Sequence, residues 1–143
     1  RKVKVGDQMD AATELRPMSS KDALETLTRQ VEEAVKNGAT LHVGGKPLES
    51  KGNFFAPTIL THITRDNPAY FEKFFGPVAQ MYVVKDDDDA VKLANDSHYG
   101  LGGAGFSQNI ARAKRIASRI ETVMVYSNVL TDTSAELPVR CVK

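Results

Sequence analysis

Tryptophan is absent from this sequence, and cysteine occurs once, at Cys141. One thiol can form neither an internal disulfide nor a multi-thiolate metal cluster, which excludes the disulfide-stapled secreted scaffolds and points to a cytosolic setting. Charge of one sign is also lacking, since 19 Lys and Arg face 18 Asp and Glu. Without a one-signed field, nothing draws nucleic acid or an anionic membrane surface. No apolar run approaches the roughly 18 residues of a membrane span. The basic start Arg1, Lys2, Lys4 is not followed by the apolar stretch of a signal peptide. The expectation is an intracellular, cytoplasmic chain with no membrane or nucleic-acid partner.

What is present suits a folded enzyme-type domain. Hydrophobic residues make up 41% and charged residues 26% of 143 positions, ordinary values for a globular protein. A chain of this length buries about two-thirds of its unfolded surface, so residues 1–143 are expected to form a single domain. Residues 1–18 read as a lead-in, with turn signals at Gly6-Asp7 and at Arg16-Pro17, just before Ser19-Ser20 can cap a helix. From Asp22, the residues Ala23, Leu24, Leu27, Val31, Ala34 and Val35 recur at three- and four-residue steps up to Gly38, which predicts a helix with a glycine C-cap. Thr40–Val43 reads as a short strand into a Gly44-Gly45 turn. Phe54–Thr61, interrupted by Pro57, reads as an edge strand or extended arm, and Asp66-Asn67-Pro68 as a short turn or helix.

Residues 78–127 carry the architecture. A strand at Val78–Val84 is followed by Asp86–Asp89 at the first turn of a helix through Leu93 and Ala94. A glycine-rich strand follows at Leu101–Phe106, then a helix at Asn109–Ile120 and a strand at Val123–Ser127. The last helix is expected to turn Ile110, Ala113, Ile116, Ala117 and Ile120 inward and to leave Arg112, Lys114, Arg115 and Arg119 solvated. The pattern is β-α-β-α-β, with right-handed crossovers over a parallel sheet. The four aspartates favour the helix N-terminus; consecutive helical residues diverge too much to gather a metal.

Local motifs commit the chain to no reaction. There is no G-x-G-x-x-G turn between strand and helix, no P-loop, no H-E-x-x-H and no G-x-S-x-G. Gly100–Gly105 is glycine-rich but lies within or before a strand, away from any helix N-terminus. His42, His62 and His98 show no helical or hairpin spacing, so each reads as a surface or strand residue and no metal is expected. Cys141 is a candidate nucleophile only if a base or helix terminus lowers its pKa. The neighbouring Arg140 favours a thiolate, while a lone cysteine more often reads as an inert buried residue.

A longer set of landmarks does carry information. Val5-Gly6-Asp7, Thr13–Met18, Gly38–Leu41 with Gly44-Gly45, Phe54–Leu60, Glu72–Val78, Leu93–Leu101 and Pro138–Lys143 resemble, in order and spacing, the aldehyde dehydrogenase superfamily, with a flavour similar to its succinate-semialdehyde dehydrogenase-like members. The resemblance covers essentially the whole chain. It implies a three-layer α/β fold, a mainly parallel sheet with helices on both faces. It also implies the later part of the family's catalytic domain, after the catalytic cysteine. The family's nucleophilic cysteine, oxyanion asparagine, base glutamate and Rossmann-like NAD or NADP domain then lie outside these 143 residues.

The carried-over contact is with the cofactor. The family's E-x-F-G-P pattern places a phenylalanine beside the nicotinamide ring, matched by Phe75, and a glutamate on the adjoining ribose, where this chain has Lys73. An ammonium cannot accept the ribose hydroxyl bonds that a carboxylate takes, so no cofactor is expected for the chain alone. Arg16 and Val123 stand where the family usually has Gly, and Val139-Arg140-Cys141 where it has Phe-Gly-Gly. Ser127 and Gly105 also depart from it. The leading expectation is a fragment of an NAD(P)-dependent aldehyde dehydrogenase-like oxidoreductase without dehydrogenase activity alone. A second is a repurposed or engineered domain using Cys141 on an activated ester. There His62 or His98 would serve as base, and Gly105, Ser127 and Val129 would give pocket space. A third is a structural domain that self-associates or awaits a missing cofactor-domain segment.

Overall fold

The computed structural model describes residues 3–132. They divide into two compact units, one up to Tyr82 and one from Val83 onward, and each is described by itself.

The first unit is built on helix α1, Lys21–Lys36. Ser20 Oγ accepts the Ala23 N–H at 3.0 Å, the N-cap that Ser19-Ser20 foreshadows. Leu27, Val31 and Ala34 form its buried stripe. Gly38, at φ +100°, ends it, a conformation open to glycine and uncomfortable for other residues. The surface pairs Lys21–Glu25 and Arg29–Glu33 are exposed and contribute about 0.3–0.5 kcal/mol each at most.

Strands β1 (Thr40–Val43), β2 (Thr58–Thr61) and β3 (Val78–Gln80) form one sheet in that order. β1 and β2 are antiparallel, with a register irregularity at His42; β2 and β3 are parallel. Thus β2 is the central strand, not the edge strand expected from Pro57. Pro57 precedes the strand's first residue, so its missing N–H costs the ladder nothing. Between β2 and β3 lies one 3₁₀ turn, Pro68–Tyr70, capped by Asn67. The core gathers Leu27, Val31, Ala34, Ala39, Phe55, Leu60, Ile63 and Ala69, with Met18, Leu24, Phe74 and Tyr82 packed around it. The lead-in is tied down, through the Val5–Leu15 bridge and a Met18 N–H bond to the Asn53 carbonyl at 2.7 Å.

The expected strand at Val78–Val84 is shorter than its sequence. Met81 N–H still reaches the Leu60 carbonyl at 2.9 Å, but β2 ends where His62 turns to φ +56°. With no partner strand beyond it among the described residues, the chain leaves the ladder and Val83 is fully exposed.

The second unit contains α2 (Asp87–Asn95), β4 (Gly102–Gly105), α3 (Ile110–Ala117) and β5 (Met124–Ser127), with β4 and β5 paired in parallel. The strand–helix alternation expected across 78–127 is present in order. One sheet running through all of it is not what the pairings give: β3 pairs with β2, while β4 pairs with β5. Ile110, expected inward, is 61% exposed. It occupies the first helical position, and the buried stripe begins one turn later at Ala113. Two asparagines brace the unit. Asn95 bonds the Arg119 carbonyl and the Glu121 N–H, both at 2.9 Å. Asn128 accepts the Ser107 N–H at 2.7 Å and donates to its carbonyl at 2.9 Å.

Gly105 sits in β4 with open space where a Cβ would project. A glycine in a strand wastes backbone entropy. Gly105→Ala is therefore expected to stabilise the chain by about 0.5–1 kcal/mol. Urea denaturation checks this, and a lower midpoint would mean the space is not free.

Candidate functional site

The segment Lys73–Ala79 presents the residues singled out by sequence. Gly76 and Pro77 lead directly into β3, fixed by the Thr58 N–H bond to the Pro77 carbonyl and the Val78 N–H bond to the Gly76 carbonyl, both 2.8 Å. An added Cβ at Gly76 would collide with Leu27 Cδ2 and press on Met18 Cε, so close approach to α1 is what requires glycine there. Just before this anchor, Phe75 stands 73% exposed. The Lys73 Nζ lies 4.8 Å from its ring centroid. In extended chain, residues two apart share a face, so the Lys73–Phe75 spacing puts both side chains on one side, and the Lys73 rotamer lays the ammonium over the ring. At an exposed site this cation–π contact contributes about 0.5–1 kcal/mol.

A groove of about 760 Å³ opens beside the same segment, lined by Val3, Val43, Ile59, Pro77, Val78 and Ala79 among others. Its one hydroxyl, on Thr58, accepts the Gly45 N–H at 2.8 Å and donates to the Ala56 carbonyl at 2.7 Å. Gly44 at φ +77° lets the turn press onto Pro57 and Thr58. Among the described residues the lining offers no acid, base or nucleophile, so these residues can bury apolar surface and do little else.

Ionisable groups elsewhere are largely engaged with one another. Asp86 caps α2 through the Asp89 N–H at 2.8 Å. Arg112 Nε bonds both Asp87 oxygens at 3.0 and 3.1 Å, Arg115 adds a bond at 3.3 Å, and Arg119 pairs with Asp88 at 2.7 Å. Arg112, Lys114, Arg115 and Arg119 are exposed as expected, and the three arginines also pair with Asp87 and Asp88 of α2. Periodicity showed the face of each helix but not which helices adjoin. The Arg112 hydrogen bonds, above all, hold the Asp87 carboxyl below its usual range. Burial, reinforced by Tyr70, pushes the Tyr82 phenol up. Tyr82 therefore stays protonated and donates to Gln80 Oε1 at 3.2 Å.

Asp87 gives a pH-dependence with a definite sign. Its folded pKa is lowered, so its contribution is present above the unfolded value and is lost as pH falls through the folded one. Asp87→Asn is expected to be less stable than the parent at neutral pH, with the gap closing below about pH 4. Thermal unfolding across pH checks this; a gap that persists in acid would assign the effect to packing instead.

Two of the three histidines converge on one hydroxyl, although nothing in their sequence spacing is helical or hairpin-like. His42 Nε2 lies 2.7 Å from Thr61 Oγ1, and His62 Nδ1 lies 3.0 Å from the same oxygen. The antiparallel register Thr40↔Thr61 brings them together across a connection too long to read as a hairpin. His98 is exposed in the second unit. Gly105 and Ser127 are register partners, and Val129 is 54% exposed. Cys141, with Val139 and Arg140, lies outside the described residues. Among the described residues no three His, Cys, Asp or Glu groups gather, and no helix is long and apolar enough to cross a membrane.

Comparison with known proteins adds what geometry cannot. The aldehyde dehydrogenase family model matches residues 1–143. A succinate-semialdehyde dehydrogenase [NADP(+)] of Deinococcus radiodurans is 49% identical over 96% of this chain and 29% of its own length. That of Mycobacterium avium is 41% identical over 94% and 29%. The structure of a succinic semialdehyde dehydrogenase from Streptococcus pyogenes in complex with NADP+ matches with a TM-score of 0.91 and 42% identity, over 96% of this chain and 30% of that one. A betaine aldehyde dehydrogenase from Staphylococcus aureus in complex with NAD+ gives 0.90 and 34%, over 96% and 28%. The chain thus spans less than a third of the length of these relatives.

Proposed function

The chain belongs to the aldehyde dehydrogenase family, and from that premise we propose that it is the post-nucleophile lobe of a succinate-semialdehyde-type, NAD(P)-dependent enzyme, without dehydrogenase activity in these 143 residues alone. The observation that carries the reading is the 49% identity to a succinate-semialdehyde dehydrogenase, spread over 96% of this chain but only 29% of that relative. An oxidation of this class needs a nucleophile to take up the aldehyde, a base and a nicotinamide site. The groove at Gly76–Ala79 is apolar, and its described residues supply none of these.

The residues at the expected nicotinamide contact fit the cofactor only in part. Phe75 offers an exposed ring face, but Lys73 already places its ammonium over that ring and presents no acceptor for a ribose hydroxyl.

The test is direct. The purified 143-residue chain is mixed with succinate semialdehyde and NADP+ or NAD+, and absorbance of the reduced cofactor is followed. No turnover above buffer is expected. Sustained reduction that scales with protein and vanishes in Cys141→Ser would overturn the assignment and support Cys141 as a nucleophile.

A further inference from the structure

The feature that the family reading does not use is the end of the β1–β2 ladder. His42 falls at the register irregularity between Leu41 and Val43, without a Cα partner on β2. A bulge of this kind re-aims a side chain. His62 takes φ +56° immediately after β2, a left-handed conformation uncommon outside glycine, although His visits it more than most residues. Each irregularity turns an imidazole toward Thr61, whose hydroxyl receives His42 Nε2 at 2.7 Å and His62 Nδ1 at 3.0 Å.

A single hydroxyl proton can serve only one of the two rings. In the neutral state one imidazole donates to the hydroxyl and the other accepts from it. One ring nitrogen therefore already aims a lone pair at this point, and the other does so after a tautomer shift that changes no net charge. Both rings are exposed, so rotation about their side-chain bonds can draw the nitrogens to the roughly 2.0–2.1 Å ligand distance of a borderline cation. Two imidazoles with open remaining positions suit Zn²⁺, Ni²⁺ or Cu²⁺, and offer nothing to Mg²⁺, which requires oxygen ligands.

We propose that His42 and His62, converging on Thr61 at the end of the β1–β2 ladder, form a two-imidazole site for a borderline divalent transition-metal cation, with water completing the coordination. The site lies wholly within the first unit and stands independently of the aldehyde dehydrogenase reading.

The experiment uses the full 143-residue chain carrying Cys141→Ser, which removes the competing thiol. Zn²⁺, Cu²⁺ and Mg²⁺ are titrated calorimetrically, and Cu²⁺ broadening of backbone amide signals locates the ion on the chain with both histidines intact. One equivalent of Zn²⁺ is expected, with Cu²⁺ tighter and Mg²⁺ not bound. Broadening should centre on residues 42 and 61–62. His42→Gln and His62→Asn, the latter chosen because Asn tolerates left-handed backbone, should each weaken Zn²⁺ binding about tenfold or more, while His98→Gln leaves it unchanged. Absence of saturable binding, broadening centred elsewhere, or affinity that survives loss of both His42 and His62 would overturn the proposal.

Discussion

Asn67→Asp is expected to destabilise the chain by about 3 kcal/mol or more at neutral pH, a large effect for an isosteric change. Asn67 is 1% exposed. Its Nδ2 donates to the Ala34 carbonyl at 2.8 Å and the Asn37 carbonyl at 3.1 Å, while Oδ1 accepts the Ala69 N–H at 3.0 Å. One side chain thus bonds the C-terminal end of α1 to the 3₁₀ turn. The aspartate keeps the capping oxygen but replaces the donor with a charge facing two carbonyl oxygens. Burial and those oxygens raise its folded pKa above the unfolded value of about 3.9, so the charge penalty shrinks as pH falls and is gone below about pH 4, leaving the smaller cost of one carbonyl without a donor, since a protonated carboxyl has a single O–H. Asn67→Leu, which adds no charge but strands the same groups, should cost about 2–4 kcal/mol at every pH. Urea unfolding at pH 7 and pH 4 separates the two variants. If Asn67→Asp stays within about 0.5 kcal/mol of the parent, the proposed brace contributes nothing.

The second large effect concerns Leu27 and Gly76. Leu27 is 1% exposed, and its Cδ2 occupies the space a Cβ on Gly76 would need. Leu27→Ala is expected to cost about 2–5 kcal/mol through lost burial and a cavity. Gly76→Ala should cost about 1–3 kcal/mol through overpacking. The double variant places a methyl group in the hole left by the leucine. Its loss should therefore fall short of the sum by about 1–3 kcal/mol. Additivity within about 0.5 kcal/mol would show that α1 and the Gly76-Pro77 segment are not in the intimate contact described. The contact matters for function because that segment anchors the chain directly after Phe75.

The candidate site was only partly legible in the linear chain. The family landmarks singled out Phe75 and the departure at Lys73, and their two-residue spacing in an extended segment already implies a shared face. That Lys73 lies over the Phe75 ring depends on a rotamer, which spacing does not specify. The His42–Thr61–His62 cluster was invisible for a different reason. Its geometry arises from a bulge and one left-handed residue, and a change of one residue in register would send the side chains to opposite faces. The ion pairs of Asp87 with Arg112 and Arg115 required knowing which helix faces which.

By itself the sequence determined the local elements: α1 with its Ser20 cap and Gly38 stop, the strand–helix order after residue 78, and membership in a family whose landmarks extend across the chain. The elements are properties of neighbouring residues, set by periodicity, capping and turn chemistry, whereas the family is carried by the order and spacing of landmarks over the whole chain. Tertiary structure alone decided that β2 is central despite Pro57, that β3 pairs with β2 while β4 pairs with β5, and that the strand after Val78 ends early. Strand partnership is a non-local choice made by packing and by where a neighbouring strand stops offering hydrogen bonds. That is also why two histidines far apart in sequence meet at one hydroxyl.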